Sequence, residues 1–258
     1  MRGKLPNIMK TKGPAVLAFA VLLGVWQLVC SLGLVPGYML PSPWQVVQAF
    51  CTDFTLLLQH LSVTLQEALL GLAAGVALGF FFASVMDAFT PVRKALYPVL
   101  VVSQTIPAVA IAPLLVLWLG YEMAPKIVLI VLTTFFPVAV GLMEGFASCD
   151  PDCENLLRSM GAGRFKIFCY LKFPSALPQF FSGRRIAAAY RVVGAVISEW
   201  LGGFLGLGVY MTRVKKAFAF DKMFAVILLI SAISLLLMAA VSLLERLCMP
   251  HRRKGETS

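Results

Sequence analysis

Several long stretches of this 258-residue sequence contain no Asp, Glu, Lys or Arg, and this feature constrains the fold more than any other. The uncharged runs lie at 13–52, 68–86, 95–121 and 127–143. A helix needs about 20 apolar residues to cross the hydrocarbon core of a bilayer, and these runs supply them. Only 13% of the residues are charged, against roughly 25% in soluble domains. The sequence therefore predicts an all-α, polytopic membrane protein.

About six transmembrane helices are predicted from the apolar runs. They cover residues 14–33, 63–86, 95–119, 125–146, 179–203 and 223–245. An even number of spans places both termini on one side, where sixteen of the 22 Lys and Arg residues also fall. Because cytoplasmic loops are enriched in these residues, we expect both termini in the cytoplasm. The expected organisation is a cytoplasmic N-terminus at 1–13, a transmembrane domain at 14–247 and a cytoplasmic tail at 248–258.

The net charge of +10 follows from the basic cytoplasmic side and its contact with anionic lipid head groups. A nucleic-acid partner is therefore not expected. The six cysteines form no CxxC pair, and Cys149 and Cys153 lack the further His or Cys that a zinc site needs. No metal site is predicted.

The second predicted span carries three glycines at four-residue spacing. Gly71, Gly75 and Gly79 form a doubled GxxxG pattern, which leaves a shallow strip on the helix surface. Such a strip lets another helix approach closely, either within the chain or across a dimer.

Two prolines, Pro107 and Pro113, interrupt the third predicted span. Each removes a backbone donor and bends or breaks a helix. Broken helices persist inside a membrane where they are buried in protein or line a cavity, so this span is a candidate for a translocation pathway. A merely kinked core helix is the alternative. Before the second span, Trp44 to Gln59 are predicted to form an amphipathic helix at the membrane interface.

The longest cytoplasmic loop, 147–178, has helix signals rather than linker composition. Asp150 is a candidate N-cap with Pro151 in the first turn, and Gly161 is a candidate left-handed C-cap. A second short helix is expected to start at Gly163 or Arg164 and to stop at Pro174. The loop is therefore predicted to be a two-helix element.

This loop resembles the EAA loop of binding-protein-dependent ABC importer permeases, whose pattern is E-A-A, three residues, G, nine residues, I-x-L-P. The spacing fits completely when Gly161 is aligned, and the matched positions are then Asn155, Leu156, Leu157, Gly161, Leu171, Phe173 and Pro174. Asn155 occupies the position at which the family pattern has Glu. Because Asn carries no charge, any salt bridge that the family forms at this position is in doubt. LPSP at 40–43 and EWLGG at 199–203 resemble the nitrate, sulfonate and taurine branch. NLLRSMG at 155–161 and GLGVYM at 206–211 are most similar to permeases for pyrimidine precursors of thiamine.

The resemblance implies a type I ABC importer permease fold and a set of partners. Two permease copies would enclose one pathway, an extracytoplasmic binding protein would deliver a small nutrient, and two copies of a separate ATP-binding subunit would use ATP and Mg²⁺. The first loop helix would dock on that subunit. The implied coupling residues are Asn155, Leu156, Leu157, Arg158, Met160, Gly161 and Pro174. The implied location is the bacterial inner membrane, and this chain itself would bind no cofactor.

Polar and aromatic residues in the third and fifth spans are candidates to line the pathway, because charges within a membrane usually face a cavity or a partner. These candidates are Gln104, Tyr190, Arg191, Glu199 and Trp200. A pyrimidine would suit an aromatic face and a carboxylate, whereas a sulfonate would suit Arg191. The alternative is that Arg191 pairs with a neighbouring helix and that the aromatic residues are interface anchors.

Other functions are less consistent with the sequence. It contains no GxxxxGK[ST] phosphate-binding loop, so ATP hydrolysis belongs to another polypeptide. It has no HExxH motif and no Ser-His-Asp set, and we therefore do not expect an enzyme. An ion-coupled secondary transporter is the stronger rival, because kinked helices with an Arg and a Glu suit ion coupling. The absence of an inverted repeat and the spacing of the loop count against it.

Overall fold

We describe a computed structural model of the chain, which covers residues 8–182, 192 and 194–248. All regular structure in these ranges is helical. The described residues form two compact units, one from 8–58 and 211–229 and the other from 59–210 and 230–248. Each unit is treated separately below.

Twelve helical elements are found in the described part of the chain. They are α1 (Ile8–Ser31), α2 (Pro43–Thr52), α3 (Phe54–Ala88), α4 (Thr90–Ser103), α5 (Ala108–Leu119), α6 (Met123–Ala147), α7 (Pro151–Ser159), α8 (Arg164–Ile167), α9 (Phe173–Ser182), α10 (194–200), α11 (Leu207–Lys216) and α12 (Phe220–Cys248). A single π-helical turn, Phe168–Lys172, joins α8 to α9.

Within the described residues, three helices are long and apolar enough to cross a membrane, namely Phe54–Ala88, Met123–Ala147 and Phe220–Leu243. The predicted span at 95–119 is instead a bent pair, because α4 and α5 meet at 98°. The break falls immediately before Pro107, which has no N–H with which to continue α4. The first predicted span contains a shorter apolar helix, Leu17–Ser31. Much of the fifth predicted span lies outside the described residues. The first and the fifth transmembrane spans therefore stay predictions.

The first unit packs α2 against α1 and the start of α12. Val46 and Ala49 of α2 are buried with Ala225, and Trp26 and Phe224 cover them. The N-terminus of α2 is fixed by a capping box between Ser42 and Gln45. The amphipathic face of α2 is therefore packed against protein.

The prediction of one helix from Trp44 to Gln59 is wrong. The helix ends at Thr52, and a new helix begins at Phe54. Asp53 closes α2 with its N–H, while its carboxylate lies 2.7 Å from the Lys222 ammonium. The chain turns at this residue because Asp53 satisfies backbone groups at both helix ends.

In the second unit the three-glycine strip of α3 contacts α6. A Cβ atom at Gly75 would lie 2.5 Å from Cβ of Thr134, and one at Gly71 would lie 2.6 Å from Cβ of Ile130. Gly79 faces Val138 in the same way. The strip is thus an intrachain packing surface that lets two membrane helices approach more closely than side chains allow.

We expect Gly75→Ala to destabilise the protein, although alanine is the better helix former. The added methyl group overlaps Thr134, and overpacking of this kind costs about 1–3 kcal/mol. Thermal unfolding of purified protein in detergent measures the effect. Gly141→Ala is the matched control, because a Cβ at Gly141 meets nothing within 4 Å. A Gly75→Ala protein as stable as the Gly141→Ala protein would contradict the close packing.

The largest core cluster of the second unit lies where α3, α4, α6 and α9 meet. Ala83, Leu100, Leu142 and Ala176 are buried there, one from each of the four helices. Phe168 of the π turn packs edge-on against Phe146, with ring centroids 5.4 Å apart. The residue that follows α8 is thus packed against this core, which holds the end of the 147–178 loop in place.

Candidate coupling and translocation sites

The first helix of the 147–178 loop forms as its sequence predicts. The Asp150 side chain accepts a hydrogen bond from the N–H of Asp152 at 2.9 Å, and Pro151 occupies the first turn. At the other end Gly161 has φ +80 and its N–H donates to the Arg158 carbonyl, while the N–H of Ala162 donates to the Leu157 carbonyl. These two bonds form a Schellman motif, so α7 is a short helix with both ends closed.

No residue of α7 is buried. The side chains of Leu156 and Met160 are 61% and 74% exposed, and they share one face because they are four residues apart. Leu157 is half-buried beside them, and Asn155 is exposed. An apolar helix face without a covering element within the described chain is suited to a groove on another protein.

A network of ion pairs attaches the opposite side of α7 to α3. Lys172 donates to both oxygens of Asp87, at 3.0 and 3.1 Å, and lies 3.9 Å from Glu154. Glu154 also pairs with Arg158 on the next turn of α7. A cavity of about 510 Å³ lies at this junction, and Arg164 contributes to its wall. The network links the surface helix to the last turn of a membrane-spanning helix.

The second loop helix is different from the predicted one. It is expected to stop at Pro174, but α8 ends at Ile167, and the helical path continues through the π turn into α9. Pro174 is the second residue of α9 and is exposed. The missing N–H of Pro174 falls directly after the π turn, where the regular spacing of helical hydrogen bonds is already interrupted.

Cys149 lies directly before Asp150, the N-cap of α7, and is half-buried. Burial raises the pKa of the Cys149 thiol above its ordinary value, and the nearby Glu154 carboxylate raises it further. The thiol therefore stays protonated and uncharged at neutral pH.

A second polar site lies between the first half of α3 and the start of α6, inside the second unit. Glu67 is 0% exposed and Lys126 is 3% exposed, and Lys126 Nζ lies 2.8 Å from Glu67 Oε1. Glu67 Oε2 has no hydrogen-bond partner among the described residues. We call Glu67, Lys126 and the buried residues His60, Thr64 and Glu199 around them the buried polar cluster.

Glu199 joins this cluster to the chain segment that follows α10. The Thr64 hydroxyl donates to Glu199 Oε1 at 2.7 Å and accepts the N–H of Leu207 at 2.9 Å. The N–H of Gly208 donates to Glu199 Oε2. Gly206 has φ +128, and a Cβ at this residue would overlap the Glu199 carboxyl group, so the segment needs glycine there.

His60 is a further member, which no pattern in the sequence indicates. Its Nδ1 accepts the N–H of Gly206 at 3.0 Å, and its ring lies 5.4 Å from the ring of Tyr210. His60 and Gly206 are 146 positions apart in sequence. One sequence feature points to the pairing of Glu67 with Lys126. Each residue directly precedes an uncharged run, and both runs start on the same predicted side of the membrane.

The predicted pathway residues occupy different environments. Glu199 is 1% exposed and engaged by the cluster, whereas Trp200 next to it and Gln104 are exposed. Gln104 lies at the break between α4 and α5 and lines a cavity there. Tyr190 and Arg191 lie outside the described residues. The assignment of these five residues to a pathway stays a prediction.

The two sites lie toward opposite ends of α3. Thr64 belongs to the polar cluster, and Asp87, 23 positions later on α3, belongs to the α7 network. At about 1.5 Å per residue this separation is roughly 35 Å, comparable to the thickness of a bilayer. In the described residues no group of three or more His, Cys, Asp and Glu is placed to hold a metal ion.

Comparison with known proteins places these features in one family of sequences. Residues 75–248 match the family described as "Binding-protein-dependent transport system inner membrane component". The formylaminopyrimidine transport permease protein ThiX of Halalkalibacterium halodurans is 38% identical over 92% of this chain and 95% of that protein. The taurine transport system permease protein TauC of Escherichia coli is 32% identical over 90% of this chain and 86% of that protein.

The fold has a counterpart among solved structures. A chain of a bacterial ABC transporter involved in import of the acidic polysaccharide alginate has a TM-score of 0.67 and 16% sequence identity. The similarity covers 93% of this chain and 99% of that chain. At this level of identity the likeness establishes the fold alone.

Proposed function

Because the chain belongs to the family of binding-protein-dependent transport system inner membrane components, we propose that it forms the alternating-access pathway for a small nutrient delivered by a binding protein. It is a permease subunit of an ABC importer and not an enzyme. In such systems a separate subunit carries the ATPase. Members of this family are inner-membrane components. The family match therefore favours an ABC importer over an ion-coupled secondary transporter.

The observation that carries the proposal is the exposed apolar face of α7 on a fixed base. Leu156 and Met160 project from a helix whose ends are both capped, and the other side of the helix is paired with Asp87 through Lys172. A groove on the ATP-binding subunit would accept this face, and movement of that subunit would reach α3 through the ion pairs. Asn155, Leu157, Arg158, Gly161 and Pro174 complete the proposed coupling surface.

The remaining assembly follows the family pattern. Two copies of this chain would enclose the pathway, and two ATP-binding subunits would close with ATP and Mg²⁺ to turn the pathway outward. Hydrolysis would return it inward. The extracytoplasmic binding protein would dock on the other face. Both termini, 1–13 and 248–258, would lie in the cytoplasm with the coupling loop 147–178, in agreement with the distribution of Lys and Arg.

We propose a pyrimidine precursor of thiamine as the nutrient. Support comes from the relative named for formylaminopyrimidine transport, which at 38% identity is more similar to this chain than the taurine permease at 32%. Import of a sulfonate, taurine or nitrate by the same mechanism is the second candidate, because relatives with those names also cover most of the chain.

Uptake by the reconstituted importer tests the substrate. We expect proteoliposomes that contain the permease and its ATP-binding subunit, supplied with the binding protein, to take up labelled formylaminopyrimidine only with ATP inside. Excess unlabelled formylaminopyrimidine should compete, and taurine and nitrate at the same concentration should not. Uptake of taurine or nitrate without uptake of the pyrimidine would overturn this substrate and favour the second candidate.

A further inference from the structure

The break between α4 and α5 opens a cavity against α6. Its volume is about 300 Å³, which is at the lower end of the range for small-molecule sites. Gln104, Ile106 and Ala108 line it from the break, and Thr133 and Phe136 line it from α6. The cavity therefore combines an irregular stretch of backbone with an aromatic ring on a membrane-spanning helix.

The break leaves polar backbone atoms of the lining residues without partners. Residues 90–119 are all described, and no described donor reaches the carbonyl oxygens of Gln104 and Ile106. The N–H of Ala108 likewise reaches no acceptor within the described chain. Open backbone groups of this kind occur at helix ends, and they need water or a polar ligand as partners. The residues that line the cavity at the break therefore carry two open acceptors and one open donor.

The lining is also uncharged. None of the described residues around the cavity is ionisable, and its polar side chains are those of Ser103, Gln104 and Thr133. A sulfonate or nitrate entering this space would lose its hydration without gaining a counterion, which is costly for an anion. A neutral ring that carries both donors and acceptors would instead replace its bonds to water.

We propose that this cavity binds a neutral, planar nitrogen heterocycle of the aminopyrimidine class during translocation, and that Gln104 determines specificity. The carbonyls of Gln104 and Ile106 accept hydrogen bonds from an exocyclic amino group, the N–H of Ala108 donates to a ring nitrogen, and Phe136 covers the ring. The Gln104 amide donates to or accepts from a further substituent. This inference rests on the proposed function, because it locates the substrate of the same pathway.

Binding to the purified full-length permease tests the site without its partners. Formylaminopyrimidine should raise the thermal unfolding temperature of the wild-type protein, and taurine should not. Gln104→Leu keeps the side-chain size but removes the amide, so we expect about tenfold weaker binding of the pyrimidine and a similar loss of uptake in proteoliposomes. Thr105→Val is the matched control, because Thr105 is the next residue but does not line the cavity. Its hydroxyl donates to the Val102 carbonyl, and the binding of the pyrimidine to this variant should equal that of wild type.

Two results separate this inference from the proposed function. If the wild-type importer transports the pyrimidine while Gln104→Leu binds and transports it equally well, the site is wrong and the function stands. If the wild-type importer transports taurine or nitrate and not the pyrimidine, both the substrate and the site are wrong. Equal stabilisation of the wild-type permease by taurine would also overturn a site selective for neutral rings.

Discussion

Replacement of Lys126 by Met is expected to remove most of the folded protein. Lys126 is the one cation that contacts Glu67 in the described chain, and both side chains are almost fully buried. The Lys126→Met substitution would leave the Glu67 carboxylate without a counter-charge, and breaking a buried pair in this way costs about 3–5 kcal/mol. We expect a low yield in detergent and a thermal unfolding temperature lower by on the order of 10 °C.

Two further variants distinguish the lost charge pair from a lost side chain. Lys126→Met combined with Glu67→Gln removes both charges and should recover much of the stability, because no unpaired charge stays buried. Lys222→Met removes a cation from a partly exposed pair with Asp53 and should cost at most about 1 kcal/mol. A Lys126→Met protein with the yield and unfolding temperature of wild type would show that the cluster does not hold these helices together.

The local features of the fold were predictable because their causes lie within a few residues. Asp150, Pro151 and Gly161 carry the cap chemistry of α7, and the structure has the helix between them. The break after α4 also has a local cause, because Pro107 has no N–H with which to continue the helix. The glycine strip at Gly71 also predicted a close helix contact. The sequence left its partner open, because a GxxxG pattern marks one surface and says nothing about the helix that faces it.

Features that depend on distant residues were not predictable in the same way. Glu67 and Lys126 are 59 positions apart, and no spacing rule pairs them. Nothing in the sequence pattern indicates His60, whose Nδ1 accepts the backbone N–H of Gly206 in the cluster. The boundary at Asp53 was missed because the apolar pattern continues through it, whereas its pairing with Lys222 is tertiary.

The arrangement suggests how movement at one membrane face reaches the other. α3 carries the polar cluster near its start and Asp87 at its end, and its glycines hold it against α6 along the length between them. Closely packed helices of this kind move as a rigid pair rather than by bending. A displacement of α7 would therefore be expected at the cluster and at the segment that contains Gly206.

We propose that the exposed face of α7 couples this permease to its ATP-binding subunit. Leu156→Asp combined with Met160→Asp places two charges on that face and should abolish binding, because the acidic groups would have to be desolvated in an apolar groove. The fold should be unaffected, since both side chains are exposed. Tyr170→Asp changes a residue of similar exposure, 78%, in the π turn and serves as the control.

Co-purification of the ATP-binding subunit with the tagged permease is the direct measurement. We predict that the Leu156→Asp, Met160→Asp protein elutes and unfolds like wild type but retains no ATP-binding subunit and supports no ATP-dependent uptake, whereas Tyr170→Asp retains both. A double variant that still co-purifies the ATP-binding subunit in the wild-type ratio and transports at the wild-type rate would contradict coupling through α7.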